Sequence, residues 1–324
     1  MAVPTLITGT GDGADGSLVT FLDANLPTLG WSTPFTNTAT KGVYRNSPTA
    51  GSGSYLRVID AGADHAADSR RASVQTYTSM SDIDTGTDVN PGSGETYFTK
   101  SESADATSRN FMLWGTNRFF YFFSWFAAAN PNNSGWRVFW CGDPSGLYSN
   151  DPNAFCLGAS ESTATSVTTR SSALQNVAAA STTTTTEVLN HWTRDFSASI
   201  GSVKGGLQTA PNAGGSTNYA PGSQQDYPNG PNTIPVAKIF IMEASAPTAS
   251  RFHRASLPGV LNPLINLRMS NQSDFTDGDS VGGINNGSAI ISARFTPLNP
   301  TLGWNASSFA GAILLDTTTD WDNW

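Results

Sequence analysis

The stretch that most limits how this chain can fold runs from Arg109 to Phe126 and reads RNFMLWGTNRFFYFFSWF. Two aromatic-rich runs flank a short segment of turn residues, Gly115-Thr116-Asn117-Arg118. That arrangement reads as a β-hairpin. Aromatic side chains suit the pleated surface of a strand, and each buries a large area. The second run does not alternate apolar with polar residues, so both faces of its strand must be covered. A helix is the competing reading for a short apolar run, but the central Gly-Thr-Asn and the lack of Leu, Ala, Glu and Lys disfavour it. The expectation is a hydrophobic core, with an aromatic sugar-binding platform as the alternative.

Strand signals recur on both sides of this hairpin. Lys41 to Ser47 and Ser54 to Asp60 read as neighbouring antiparallel strands across a PTAGSG turn. In the latter, Tyr55, Arg57 and Ile59 alternate with Leu56, Val58 and Asp60, so one face is wetter than the other. Arg71 to Tyr77, Glu95 to Lys100 and Gly135 to Cys141 continue the pattern, and the last of these makes a meander with the hairpin. Ala154 to Gly158, Glu187 to Phe196, Val236 to Glu243, Leu261 to Met269, Ser288 to Phe295 and Gly311 to Asp316 follow. Met80 to Gly86 reads as a loop, and Phe252 to Val260 as holding a polar turn. Ser17 to Leu26 carries apolar residues at 18, 19, 21, 22 and 26, the spacing of a short amphipathic helix that Pro27 and Gly30 end.

Regular strands with turn signals between them and no internal repeat predict a mainly β fold. The expected form is an antiparallel sandwich or barrel-like core with one short N-terminal helix and long surface loops. The chain reads as one β-rich structural domain, 1–324, with residues 1–16 as an extended arm and 205–233 as a long loop. The Ser/Thr/Ala-rich residues 159–186 read as a polar strand and loop at a surface or subunit contact. The C-terminal Trp321-Asp322-Asn323-Trp324 is expected to dock.

Composition narrows the function classes. Only 13% of residues are charged, four of them lysines (Lys41, Lys100, Lys204 and Lys238), and the net charge is −8. Direct nucleic-acid binding, which needs clustered basic residues, is therefore not expected. No window reaches the length of a membrane span, and MAVPTLITGTGDG has neither the basic region nor the apolar core of a leader. Cys141 and Cys156 can pair if their strands are neighbours, but synthesis in a reducing compartment favours two buried thiols.

The search for chemistry gives few candidates. His65, His191 and His253 stand far apart in sequence without a zinc-ligand spacing. No nucleophile elbow or phosphate-binding loop occurs. Carboxylates cluster at Asp82/Asp84 and at Asp274/Asp277/Asp279, where turn and cap roles account for them; the sharper alternatives are a glycosidase pair or, at Asp274/Asp277/Asp279, a structural cation such as calcium. GDGADG lacks the closing Glu of a calcium loop and reads as a turn. No catalytic, cofactor-binding or metal-ligating residue is assigned, and no cofactor is expected.

The order of several motifs carries a resemblance. LVTFLDANLPTL (18–29), VYRNS (43–47), residues 55–60, YTSMSDIDTG (77–86) and RFFYFF (118–123) come first. YPNGPN (227–232), LPGV (257–260) and the end from Leu314 to Trp321 follow. In this order the chain resembles uncharacterised virion structural proteins of tailed bacteriophages, encoded among head and tail morphogenesis genes. The resemblance implies a non-enzymatic role in the virion, made in the bacterial host cytoplasm, with copies of itself and major capsid or tail proteins as partners. It supplies no catalytic residues. Longer relatives carry an extra β insertion after the first helix, whereas here Trp31 follows almost directly. The alternatives are a tail receptor-binding module that recognises or cleaves host surface carbohydrate, and a lectin-like protein outside the virion.

Overall fold

The computed structural model describes residues 3–64, 68–89, 96–125, 136–146 and 155–159. Beyond these it describes the strand segments 190–194, 202–208, 236–244, 251–263, 284–286, 289–291, 295–298 and 313–316, and residue 321. In chain order these form β1 (Thr5–Gly11), α1 (Ser17–Asn25), β2 (Lys41–Arg45), β3 (Tyr55–Ile59), β4 (Arg71–Tyr77), β5 (Ser79–Met80) and β6 (Gly86–Thr87). Next come β7 (Thr96–Thr99), β8 (Arg109–Gly115), β9 (Phe119–Trp125), β10 (Trp136–Gly142), β11 (Ser145–Gly146), β12 (Cys156–Ala159), β13 (Asn190–Arg194) and β14 (Ser202–Gln208). The last are β15 (Val236–Ala244), β16 (Arg251–Pro263), β17 (Ile284–Asn286), β18 (Ala289–Ile291), β19 (Phe295–Leu298) and β20 (Ile313–Asp316). The fold is mainly β and antiparallel, with one short α-helix near the N-terminus.

The aromatic stretch forms the predicted hairpin. β8 and β9 pair from Phe111↔Ser124 to Gly115↔Phe120, and β10 joins β9 on its other side, which completes the meander. The large sheet runs β1-β8-β9-β10-β12-β13-β14-β15-β16-β20-β19, and β11, just beyond β10, pairs with β16. This last pairing bends the sheet back on itself, so β10/β11, β12, β13, β14, β15 and β16 form a closed circuit.

A smaller sheet, β2-β3-β4-β7, packs against the meander. Its inward residues Tyr44, Leu56, Val58, Ala72, Val74 and Phe98 join Phe111, Leu113, Phe120, Phe122 and Phe139 in one core. α1 adds Leu18, Val19, Phe21 and Leu22. Phe122 sits at the centre, with ring centroids 5.1 Å from Phe111, 5.4 Å from Phe98 and 5.6 Å from Phe21. Edge-to-face contacts of this kind add to the area burial of each ring. The even-numbered residues of β9 face this core, while Tyr121 faces the other way and meets Trp140 and Trp321. Six of the seven residues of β9 are buried, so the strand is covered on both faces, as its lack of alternation requires.

Several boundaries differ from the sequence reading. Thr5–Gly11, inside the expected arm, is a paired strand. Residues 205–208 of the expected long loop belong to β14, and 209–233 lie outside the described residues. The 80–86 loop closes a small β5–β6 hairpin. The turn expected in 252–260 is instead a kink inside the continuous strand β16. There Phe240 pairs with Ser256 and Lys238 with Leu261, so β16 carries extra residues opposite one short step of β15. Gly259, with φ +67°, lets the strand bulge without breaking. The Thr-rich segment lies outside the described residues beyond Ala159.

Candidate contact surfaces and buried polar sites

The carboxylates singled out by sequence have different fates. Asp82 is exposed and folds back on its own loop, accepting hydrogen bonds from the Asp84 and Thr85 N–H groups at 2.8 and 2.7 Å. Those donors hold its carboxyl below the usual range. Asp84 takes Lys41 Nζ at 2.5 Å and lies 3.9 Å from Arg57. Asp82 therefore shapes the turn of the β5–β6 hairpin, the role expected of it, and Asp84 ties that hairpin to β2 and β3. Asp12 and Asp15 of GDGADG do likewise: Asp12 accepts from Ala14 N at 2.9 Å, and Asp15 from Gly62 N at 2.8 Å. Asp274, Asp277, Asp279 and His65 lie outside the described residues. His191 falls in β13 and His253 in β16. Among the described residues no three of His, Cys, Asp and Glu group as a metal site would require.

Two buried polar sites were not singled out by sequence. In the first, Asp60 and Lys100 form an ion pair with neither side chain exposed. The second oxygen of Asp60 accepts the Leu18 N–H at 2.7 Å. The N-cap position of α1 is Gly16, which has no capping side chain. Asp60 thus does the capping job from a strand 42 residues away. Lys100 also donates to the Ala14 carbonyl, and Ser124 Oγ donates to the Lys100 carbonyl. The pair joins the small sheet, the turn before α1 and the central strand β9. Burial raises the Asp60 carboxyl above its usual range, opposed by Lys100 and by the Leu18 N–H. The signal lay in the pattern: Asp60 continues the inward face of Leu56 and Val58, and Lys100 is one of four lysines.

In the second site, Asp143 accepts from Ser52 N at 2.6 Å and from Asn46 Nδ2 at 2.7 Å. This anchors the 47–53 turn to the end of β10. A Cβ on Gly51 would come within 2.3 Å of Asp143 Oδ2, so the close approach needs glycine there. The nearby hairpin turn is fixed too, by Trp31 Nε1 donating to the Thr116 carbonyl at 2.9 Å and Ser47 N to the Asn117 carbonyl at 3.0 Å.

The aromatic residues that could have made a sugar platform are internal. Phe119 to Phe123, Trp114, Trp140 and Trp321 are each at most 2% exposed. The exposed large hydrophobic residues among those described are Val3 and Leu6, at 55% and 46%. Both lie at β1, the outermost strand of the large sheet. β1 shows β8 one edge, from Thr5↔Gly115 to Gly11↔Arg109, and among the described residues no strand covers its other edge. Such an edge leaves alternate N–H and C=O groups facing outward.

Comparison of the chain with family models and with curated proteins gave no match.

Proposed function

We propose that this chain is a non-enzymatic structural protein of a tailed-phage virion. It serves as a capsid decoration or cement protein, or as another head or tail assembly component, and acts through contacts with its own copies and with major capsid or tail proteins. The observation that carries the reading is β1, an uncharged open edge with the exposed apolar residues Val3 and Leu6 beside it. An unpaired, uncharged strand edge is a template on which another chain can add a strand.

The motif order described above supports the same reading. Four of its first five members, residues 18–29, 43–47, 55–60 and 118–123, contribute to the inner faces of both sheets and α1, while 77–86 forms the small hairpin beside them. The resemblance therefore falls on the scaffold. The net charge of −8 fits a protein whose partners are proteins. The carbohydrate-receptor alternative has less support, because Phe111, Trp114 and Phe119 to Phe123 of the 109–126 stretch are buried within the meander.

Purified virions decide the matter. Mass spectrometry should detect the chain in washed particles, and a particle map should place it, with hundreds of copies expected for decoration and tens or fewer for a tail component. Its absence from washed particles would exclude the virion role.

A further inference from the structure

We propose that β1 is a self-recognition strand: two copies pair antiparallel through their β1 edges about a two-fold axis, joining their large sheets into one. This rests on the reading of the chain as a self-associating structural protein and names the surface involved.

The first argument is a contrast within the molecule. The outer edge of β2, in the small sheet, is covered by the chain's own 31–38 segment. Ser32 and Arg45 exchange backbone hydrogen bonds at 2.9 and 2.8 Å, and Asn37 Oδ1 accepts the Val43 N–H at 2.9 Å. β1 has no such cover among the described residues. From Thr5 to Gly11 it holds no Lys, no Pro and no charge, and the one such device nearby, Pro4, stands just before the strand.

The second argument concerns which partner fits. Each copy carries a net charge of −8, so two copies repel over most of their surface. Residues 3–11 (VPTLITGTG) form an uncharged window where acidic copies can meet with the least repulsion. The third is self-complementarity. Ile7 and Gly9 turn toward the core side, where a Cβ at Gly9 would lie 2.9 Å from the Phe21 ring, while Leu6 turns to the opposite face. Pairing with Leu6 opposite Leu6 of the second copy brings the two exposed leucines together on one face. Within β1 the same register sets Thr5 of each copy across from Ile7 of the other, and the ladder ends where Pro4, without an N–H, precedes the strand. An isologous contact of this kind closes as a dimer and does not propagate.

The test uses the full chain in solution. Leu6→Cys should give a disulfide-linked dimer on mild oxidation, because directly opposed strand residues have Cβ atoms about 4.5–5.5 Å apart. Thr10→Cys should not, since in this register the two Thr10 positions are separated by roughly 26 Å of strand. The native Cys141 and Cys156 are buried and leave the background clean. By sedimentation velocity, Leu6→Lys should weaken the dimer at least tenfold with an unchanged circular dichroism spectrum. A wild-type chain that stays monomeric at high concentration, a dimer indifferent to Leu6→Lys, or a Leu6→Cys chain that fails to cross-link would each overturn the proposal. Detection of the chain in particles is scored separately, so loss of this interface leaves the virion role standing, and the converse also holds.

Discussion

Asp60 and Lys100 meet in an ion pair from which water is excluded on both sides. The contact joins the end of β3 to the residue after β7, and through Leu18 and Ala14 it holds the start of α1. A pair this deep costs desolvation on both partners, so its net stabilisation is small, but breaking one side is severe. Either Asp60→Asn or Lys100→Met should therefore cost about 3–5 kcal/mol in urea unfolding. The double variant should recover a good part of that loss, since neither buried charge is then orphaned. If the two single losses simply added, the pair would be acting as two independent residues.

Gly259 and Trp321 make the second tie, across the closed circuit of the large sheet. A Cβ at Gly259 would lie 2.1 Å from Trp321 Cε2, and the residue's φ of +67° already disfavours other side chains. Tyr121 packs edge-on to the same indole at 5.8 Å and donates to the Pro258 carbonyl at 2.8 Å. Gly259→Ala should lower stability by about 1–3 kcal/mol through overpacking. In a Trp321→Ala background the steric part of that cost should vanish, leaving the backbone part. Thermal melts of the four proteins in this cycle measure both parts.

The aromatic meander was legible because its physics is local: a run that does not alternate must be covered on both faces, and Phe120 and Tyr121 are both fully buried on opposite sides. The inward face of Leu56 and Val58 and the helix at 18–26 were legible from period alone. Pro258-Gly259 misled because the same dipeptide serves a turn and a bulge, and the choice depends on β15, β11 and β20 lying alongside. Asp60 and Lys100 stand 40 residues apart, and nothing local says that they meet. The edge status of β1 was hidden for a similar reason. Thr5–Gly11 reads as a loose arm until its pairing with β8 is known.

The cysteines give a third prediction. In the β10–β12 register Cys141 lies opposite Leu157, and Cys156 opposite Gly142. Residues one step apart in register point to opposite faces of a sheet. Cys141 accordingly joins the core between the sheets, and Cys156 faces the other way. A disulfide would require one strand to slip by a residue, which would turn the whole face over. Burial also raises the Cys141 thiol well above its usual range, which keeps it unreactive. Thiol titration should therefore detect almost no reaction in the native protein and two thiols per chain after unfolding. Reducing agent should leave the melting temperature unchanged. Two thiols titrating rapidly in the native state would contradict the register.

Asp143 gives the protein a signed response to pH. Burial raises its carboxyl above the ordinary value, against the pull of the Ser52 and Asn46 donors and of Arg118. The folded state then holds this proton at pH values where the unfolded chain has released it. Stability from this group is thus complete below the unfolded value, about 4, and is lost as pH rises through the folded one. Asp60 shifts in the same direction and Asp68 in the opposite one, so the total curve mixes several groups. Asp143→Asn separates them. Both donors meet Oδ2, so an amide oxygen placed there still accepts from Ser52 N and from Asn46 Nδ2. Measured by urea unfolding at pH 4, 5.5 and 7, the variant should gain on the wild type as pH rises from 4. A variant-minus-wild-type difference in stability that stays constant, or falls as pH rises, would mean that the Asp143 carboxylate is ionised in the fold as readily as in the open chain.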